Sequence, residues 1–226
     1  MQPHLSTTPF GRRSLALAHV ATQATAKLRP PDKAVHKWQV FRAVCTAKAR
    51  IGASERALAV LDAQIHLSGP KNDRVVAIGD YHRLPGDEAW RDTVLESGEL
   101  ITAIELPAET FADHYTYLKL RDRLSYAFAL VSVAVVMRMN GGGIEEARVA
   151  LGGVAHKPWR NPDAEALLRG QASDKTFTEF ADALLAGATG QGENNFKIPL
   201  ARRAIVRACH QAANGTPQSQ TDKRIV

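Results

Sequence analysis

The chain has few of the residues that build metal sites or disulfide frameworks. Its 226 residues include only two cysteines, Cys45 and Cys209, which lie far apart and form no CxxC motif. We therefore expect both to be reduced structural cysteines rather than metal ligands. The eight histidines are scattered without an i,i+4 pair, so we interpret them as solvated or locally hydrogen-bonded and expect no metal site. No apolar run approaches the roughly 20 residues that a membrane span needs.

Sequence motifs of catalysis and phosphate binding are also missing. The chain contains no GxSxG, no Walker loop and no GxGxxG, and no catalytic residue can be nominated. The stretch "NGGGI" is followed by no helix pattern, so it favours a hairpin turn over a phosphate cradle. The two glycines of "LGGVA" indicate either a close approach by a neighbour or a simple bend.

Acidic residues are nearly absent from the N-terminal segment. Residues 1–50 hold nine Lys or Arg and one acid, Asp32, whereas the remaining residues hold 20 bases and 22 acids. Such a segment can bind nucleic acid or an acidic membrane, but no aromatic platform accompanies it. Its twin arginines and lack of acids are also loosely typical of an export signal or transit peptide. We interpret residues 1–50 as an unassigned basic arm, disordered or weakly helical.

Regular patterns begin after residue 50. "ASERALAVL" predicts a helix with Ser54 as a possible N-cap. "AQIHL" and "RVVAI", joined by the turn-rich "SGPKND", predict a hairpin. "LITAIEL" predicts a strand buried on both faces for most of its length.

The middle of the chain predicts three further strands. In "HYTYLKLR", alternation puts Tyr115, Tyr117 and Lys119 on one face and Thr116 and Leu118 on the other. A buried helix or a strand could follow, but valines at spacing two before "NGGG" favour a strand and a tight reversal. "IEEARVALGGVA" is then the returning strand.

After Trp159 the apolar spacing changes to that of helices. Asn161 and Pro162 are typical of a helix start. Thr176 and Glu179 stand at capping-box spacing before an apolar stripe that includes Phe177. "KIPLARRAIVRACHQAA" predicts a third amphipathic helix. The fold class is therefore α+β: we expect residues 100–155 to form a small antiparallel sheet, and a C-terminal cluster of about three helices in 161–213 to share one core with it.

Several stretches resemble a known family in the same order and spacing. Residues 78–214 are similar to the C-terminal part of the FAD-binding medium subunit of molybdenum hydroxylases, the xanthine dehydrogenase, aldehyde oxidoreductase and CO dehydrogenase group. Within that family, the motifs most resemble those of the bacterial aldehyde oxidoreductase subunits. The matching stretches are "YHRLPGD", "GELITAIELP", "YLKLRDRLSYAFALVSVA", "ARVALGGVAHKPWR" and "NFKIPLARRAIVRA".

The resemblance implies an oxidoreductase subunit, with a fold like the CO dehydrogenase flavoprotein C-terminal domain. It implies FAD as cofactor, with Ile101 and Lys119 contacting it, and transfer of electrons from iron–sulfur centres through the flavin to an acceptor. The implied partners are an iron–sulfur subunit and a molybdenum-binding subunit, with neither nucleic acid nor a membrane span. The implied location is the cytoplasm, or the periplasm for an exported complex.

The chain departs from the family in its N-terminal part. Residues 1–50 do not resemble it, no "GGTN"-like or "NxxxxGGN"-like loop is present, and the two cysteines are too few for the iron–sulfur insertion of the nearest branch. The alternative function is thus a non-catalytic interaction module or gene remnant that no longer binds FAD. The expected domains are the arm 1–50, a remnant of the FAD lobe in 51–90, the flavoprotein C-terminal-like domain in 91–214 and a tail in 215–226.

Overall fold

A computed structural model describes residues 37–38, 54–107, 111, 113–123 and 126–215. The basic arm lies outside these residues except for a two-residue strand, and the tail lies outside them except for residue 215. No helix in the described ranges is both long enough and apolar enough to cross a bilayer. The elements are β1 (Lys37–Trp38), α1 (Ser54–Val60), β2 (Gln64–Ser68), β3 (Asp73–Ala77), α2 (Ile78–Tyr81), β4 (Leu100–Glu105), β5 (Tyr115–Leu120), β6 (Val131–Asn140), β7 (Gly143–Gly152), α3 (Pro162–Glu165), β8 (Gly170–Gln171), α4 (Asp174–Leu184) and α5 (Lys197–Ala213).

The strands form two antiparallel sheets rather than the single sheet expected for residues 100–155. The first sheet has the order β1-β4-β2-β3, and the second has the order β5-β6-β7-β8. The expectation was wrong for β4, which pairs with β2 and not with β5. Its apolar sequence predicted a strand but did not indicate which strand would be its partner.

β4 also corrects the expectation of a strand buried on both faces. Leu100 is 67% exposed, and the only residue of this strand that is fully buried is Ala103. The register shifts between His66 and Leu67, so a bulge breaks the alternation at Thr102. Ile101 and Ile104 consequently share the inner face, while the other face carries a polar pair, His66 and Glu105, with 2.7 Å between Nε2 and Oε2.

The hairpin between β6 and β7 is confirmed. Asn140 pairs with Gly143, and the two residues between them, Gly141 and Gly142, have φ angles of 56° and 87°. Positive φ at both central positions is the requirement of a type I′ turn, which glycine meets without strain. The "NGGG" stretch therefore reverses the chain and is followed by a strand.

The helices follow the sequence pattern with one correction. Asn161 caps α3, where its Oδ1 accepts hydrogen bonds from the backbone N–H groups of Asp163 and Ala164. α4, however, begins at Asp174 and is capped by Ser173, whose Oγ accepts from the N–H of Thr176. The expected capping box of Thr176 and Glu179 is therefore wrong, because the helix starts one turn earlier.

Two apolar clusters lie on opposite faces of the second sheet. The first core joins one face of β5–β7 to α3, α4 and α5, as expected from the stripe that includes Phe177. The second core joins the other face to α1 and to the inner face of the first sheet. β6 contributes to both, with Val133 and Val135 in the first core and Ala134 and Val136 in the second.

Candidate cofactor-contact site

Lys119 lies near the end of β5 on the face that carries the second core. It stands opposite Ser132 of β6 in the antiparallel register and is partly exposed. Partial burial lowers the pKa of its ammonium, and the positive charges of Arg121 and Arg56 lower it further. The lysine is thus held among positive charges and is available to a negatively charged group.

The Arg56 side chain of α1 lies over Gly152 of β7, and its positive charge acts on Lys119. A Cβ at Gly152 would lie 1.6 Å from its Nε and 2.2 Å from its Cζ, so the guanidinium occupies the volume of a side chain at that position. The Nε atom is buried without a hydrogen-bond partner. Only glycine at position 152 permits this approach.

The two glycines of "LGGVA" therefore have different roles. Gly152 provides space for the Arg56 side chain. Gly153 has a φ angle of 79°, and a Cβ there would lie 2.8 Å from the carbonyl oxygen of Ala129. The sequence left close approach and bend as alternatives; the structure shows close approach at both glycines and, at Gly153, a positive φ as well.

Ser132 completes a row across the sheet. It stands opposite Lys119 on one side and Gly152 on the other. The residue is 1% exposed, and its hydroxyl has no hydrogen-bond partner. Buried hydroxyls ordinarily have a hydrogen-bond partner. The Ser132 hydroxyl is therefore an unsatisfied polar group on the face of the sheet that also carries Lys119.

The loop that follows β5 presents aromatic side chains to solvent. Tyr126 is 95% exposed with a φ angle of 49°, and Phe128 is 88% exposed. The Arg123 guanidinium donates to the carbonyl oxygen of Tyr126, and the N–H of Leu130 closes the loop on the carbonyl oxygen of Leu120 at 2.9 Å. The charged residues after Lys119 thus lead into an exposed apolar surface.

Ile101, the other residue singled out by the sequence, lies on the first sheet. It stands opposite Leu67 and packs partly buried against the second core. The two nominated residues thus flank the same core from different sheets. Their role toward a flavin stays a prediction.

Sequence reasoning missed Arg56 and Ser132. Arg56 was part of a short helix pattern, and Ser132 was one polar residue in an apolar strand. The available signal was Gly152, because a glycine near a strand end can mark the approach of another group. Which residue approaches depends on how α1 packs on the sheet, and no local pattern contains that information.

A second charged cluster holds α1 against α3. Glu165, which is 7% exposed, accepts hydrogen bonds from Arg160 at 2.7 and 3.0 Å and from the N–H of Val149 at 2.9 Å. Arg160 also donates to the carbonyl oxygen of Ala59 at 2.6 Å and to the carboxylate of Asp62. Burial lowers the pKa of Arg160, but Glu165 and Asp62 more than offset it. This cluster is structural, since its groups satisfy one another.

The described residues fit one part of FAD. Lys119, Arg56 and Ser132 offer donors and positive charge to an oxygen-rich group. A dinucleotide also needs backbone N–H donors from glycine-rich turns for its pyrophosphate, and the sequence has none of the loops that supply them in the resembled family. In the described ranges, no group of three or more His, Cys, Asp or Glu could hold a metal ion.

Family comparisons assign most of the described structure. The model of the CO dehydrogenase flavoprotein C-terminal domain matches residues 115–212. The model of the FAD binding domain in molybdopterin dehydrogenase matches residues 43–109. A third model, the replication protein C N-terminal domain, matches residues 13–72. The helix α1 lies within the overlap of the last two.

Curated relatives show the same division. The chain is 41% identical over 157 residues to the aldehyde oxidoreductase FAD-binding subunit PaoB of Escherichia coli, covering 69% of this chain and 46% of the relative. It is 34% identical to the carbon monoxide dehydrogenase medium chain of Afipia carboxidovorans, over 68% of this chain and 54% of the relative. A putative replication protein C of Sinorhizobium fredii is 48% identical over 63 residues, or 28% of this chain and 16% of the relative. The chain thus spans about half the length of the first two.

Solved structures support the fold. The Cu,Mo-CO dehydrogenase matches with a TM-score of 0.63 at 27% identity, over 72% of this chain and 56% of the matched chain. Quinoline 2-oxidoreductase from Pseudomonas putida matches with a TM-score of 0.62 at 24% identity, over 72% of this chain and 56% of its own. The second similarity concerns the fold alone.

These findings define the second sheet and its helices as a flavoprotein C-terminal domain of the CO dehydrogenase type, an α+β fold as expected. Residues 43–212 of the chain are similar to the C-terminal part of the FAD-binding medium subunits of molybdenum hydroxylases. The sequence-based recognition is confirmed. The replication protein C match adds a relative for the arm, which sequence reasoning had left unassigned.

Proposed function

We propose that the chain is the C-terminal part of a FAD-binding subunit and closes over the flavin of a molybdenum hydroxylase complex. The observation that carries the proposal is the match of 43–212 to two consecutive domains of such subunits, with the unpartnered polar row beside Lys119 at their border. Lys119 supplies positive charge to the cofactor, and Ile101 supplies an apolar contact. The expected oxidoreductase partners are an iron–sulfur and a molybdenum-binding subunit, in the cytoplasm or, for an exported complex, the periplasm.

When bound in such a complex, FAD supplies the redox chemistry that passes electrons to an acceptor. The residues of this chain bind and orient it. A charge-assisted hydrogen bond contributes about 1.5–3 kcal/mol, whereas micromolar affinity requires about 8 kcal/mol. The row around Lys119 therefore cannot hold FAD alone, and the glycine-loop lobe of a family member must complete the site.

The test compares the chain alone with the chain supplied with that lobe. We expect purified full-length chain to bind FAD weakly or not at all, as judged by flavin absorbance and fluorescence. Co-expression with the FAD lobe of a family member should raise the flavin content. Lys119→Ala should lower it only in that mixture, while Lys175→Ala, at a side chain that is 85% exposed, should not.

Two results would contradict the proposal. Near-stoichiometric flavin in the isolated chain would show that the site is already complete. An unchanged flavin content when the lobe is supplied would instead favour the alternative, a non-catalytic module that no longer binds FAD.

A second candidate function concerns the basic arm. The arm has a net charge of +8 by sequence and lies largely within the replication protein C match. We propose that it binds nucleic acid, against the sequence-based expectation of no such partner. Fluorescence anisotropy with a DNA duplex should show binding that weakens steeply between 50 and 200 mM salt. Replacement of Arg12 and Arg13 by Gln should weaken it, and salt-independent or absent binding would rule it out.

A further inference from the structure

The row formed by Lys119, Ser132 and Gly152 with the Arg56 side chain combines three features that call for a ligand. The positive charge of Arg56 acts on Lys119, and Ser132, which is 1% exposed, has a hydroxyl without a hydrogen-bond partner. The Arg56 Nε is likewise buried and unpartnered. Burying polar groups without hydrogen bonds is unfavourable, and a bound group that accepts from both would remove that penalty.

The strand register brings the residues of the row together. Directly opposite residues of antiparallel strands have Cβ atoms about 4.5–5.5 Å apart. Ser132 is opposite both Lys119 and Gly152, and the Arg56 Nε sits within 1.6 Å of where a Cβ at position 152 would be. Arg56 and Lys119 each remain partly exposed, so the row is open to solvent at its edge.

The charge of the row identifies the ligand class. Among the described residues, the positive charges of Arg121 and Arg56 act on Lys119 and lower the pKa of its ammonium. Glu55 lies next to Arg56 in sequence, but its carboxylate faces His82, with 3.9 Å between Oε1 and Nε2. A phosphoryl group carries a charge of about −1.5 to −2 near neutral pH and has three acceptor oxygens, which matches two cations and a hydroxyl donor.

We propose that Arg56, Lys119 and Ser132 form an oxyanion site that binds a phosphoryl group. The site does not rest on FAD binding, because the phosphoryl group can belong to a dinucleotide or be free inorganic phosphate. Arg56 is the residue of this site that the sequence analysis did not nominate. The helix α1 positions it, and the glycine at position 152 leaves room for its guanidinium.

The test is a calorimetric titration of the full chain with inorganic phosphate, at an ionic strength held constant with chloride. We expect saturable one-site binding. Ser132→Ala should weaken it by at least tenfold, since a hydrogen bond to a charged group is lost, and Arg56→Gln should do the same. Lys175→Gln, remote and exposed, should leave the affinity within twofold of the wild type. Circular dichroism of each variant confirms that the fold is retained.

Two outcomes would overturn the proposal: absence of saturable binding in the wild type, or equal affinity in the wild type, Arg56→Gln and Ser132→Ala. Competition with FAD identifies the source of the phosphoryl group. Displacement of phosphate by FAD supports a dinucleotide at this site. Because the isolated chain is expected to bind FAD weakly, the competition is measured with the FAD lobe of a family member supplied. Phosphate binding without competition in that mixture supports free phosphate, and it counts against the proposed role of Lys119 toward FAD while the oxyanion site stands.

Discussion

Replacement of Glu165 by Ala should be one of the most destabilising single changes available in the chain. Its carboxylate is almost fully buried and accepts three hydrogen bonds, two from Arg160 and one from the backbone of β7. Removal of one partner of a buried ion pair costs about 3–5 kcal/mol, because the remaining charge is left uncompensated. In the variant, Asp62 still offsets part of the Arg160 charge, but its side chain is 49% exposed. We therefore expect the free energy of unfolding to fall by about 3 kcal/mol.

The assay is equilibrium unfolding in urea followed by circular dichroism, with the free energy of unfolding as the measured quantity. Glu179→Ala is the matched control, since that carboxylate is 60% exposed and lies 3.9 Å from the Lys175 ammonium. Exposed pairs of this kind contribute at most about 1 kcal/mol. Glu165→Gln should fall between the two, because it keeps the volume and one acceptor.

A Glu165→Ala variant within 1 kcal/mol of the wild type would refute the reasoning, because the cluster would then contribute no more than an exposed pair. The same variant also reports on the oxyanion site. Arg160 is hydrogen-bonded to Ala59 of α1, so a loosened Arg160 should also loosen the helix that positions Arg56, and phosphate affinity should fall together with stability.

Three further predictions concern titration and reactivity. Burial lowers the pKa of His82, opposed by Glu55; stability should therefore fall as pH drops through about 6.5, and His82→Gln should flatten that part of the profile. The hydrogen bond from Arg74 lowers the pKa of Glu99 to about 2, so its contribution should be lost between about pH 4.5 and 2, a loss absent in Glu99→Gln. Complete burial raises the pKa of Cys209, so its thiol should react with a thiol reagent only at the rate of unfolding; faster labelling of the native Cys45→Ser variant would contradict this.

Local patterns predicted the strands and helices of the second sheet well. Alternation along β5 placed the side chains of Lys119 and Leu118 on opposite faces of the sheet. The "NGGG" stretch predicted a turn, and Gly141 and Gly142 in that turn have positive φ angles. These features depend on neighbours within a few residues along the chain. The valines of β6 were recognised for the same reason, since burial on both faces leaves a continuous apolar run.

Two of the errors arose where distant parts of the chain meet, and the third, at the start of α4, was local. The bulge at Thr102 is created by pairing with His66 and Leu67, so the sequence of β4 alone could not reveal which isoleucines share a face. The start of α4 depended on Ser173, which stood outside the apolar stripe and was passed over for Thr176. Arg56 was missed because its position over Gly152 depends on helix packing rather than on spacing.

Because β6 contributes to both cores, the C-terminal domain does not bury all of its apolar surface by itself. The family border falls between residues 109 and 115, yet Ala134, Val136 and Ala150 pack with α1, on the other side of that border. An excised 115–212 fragment would expose this apolar face to water, and a transplanted one would need a recipient with a matching small-residue helix. Exchange of the C-terminal domain between subunits is therefore constrained by the surface beneath α1, even though the sequence border itself lies in a connecting segment.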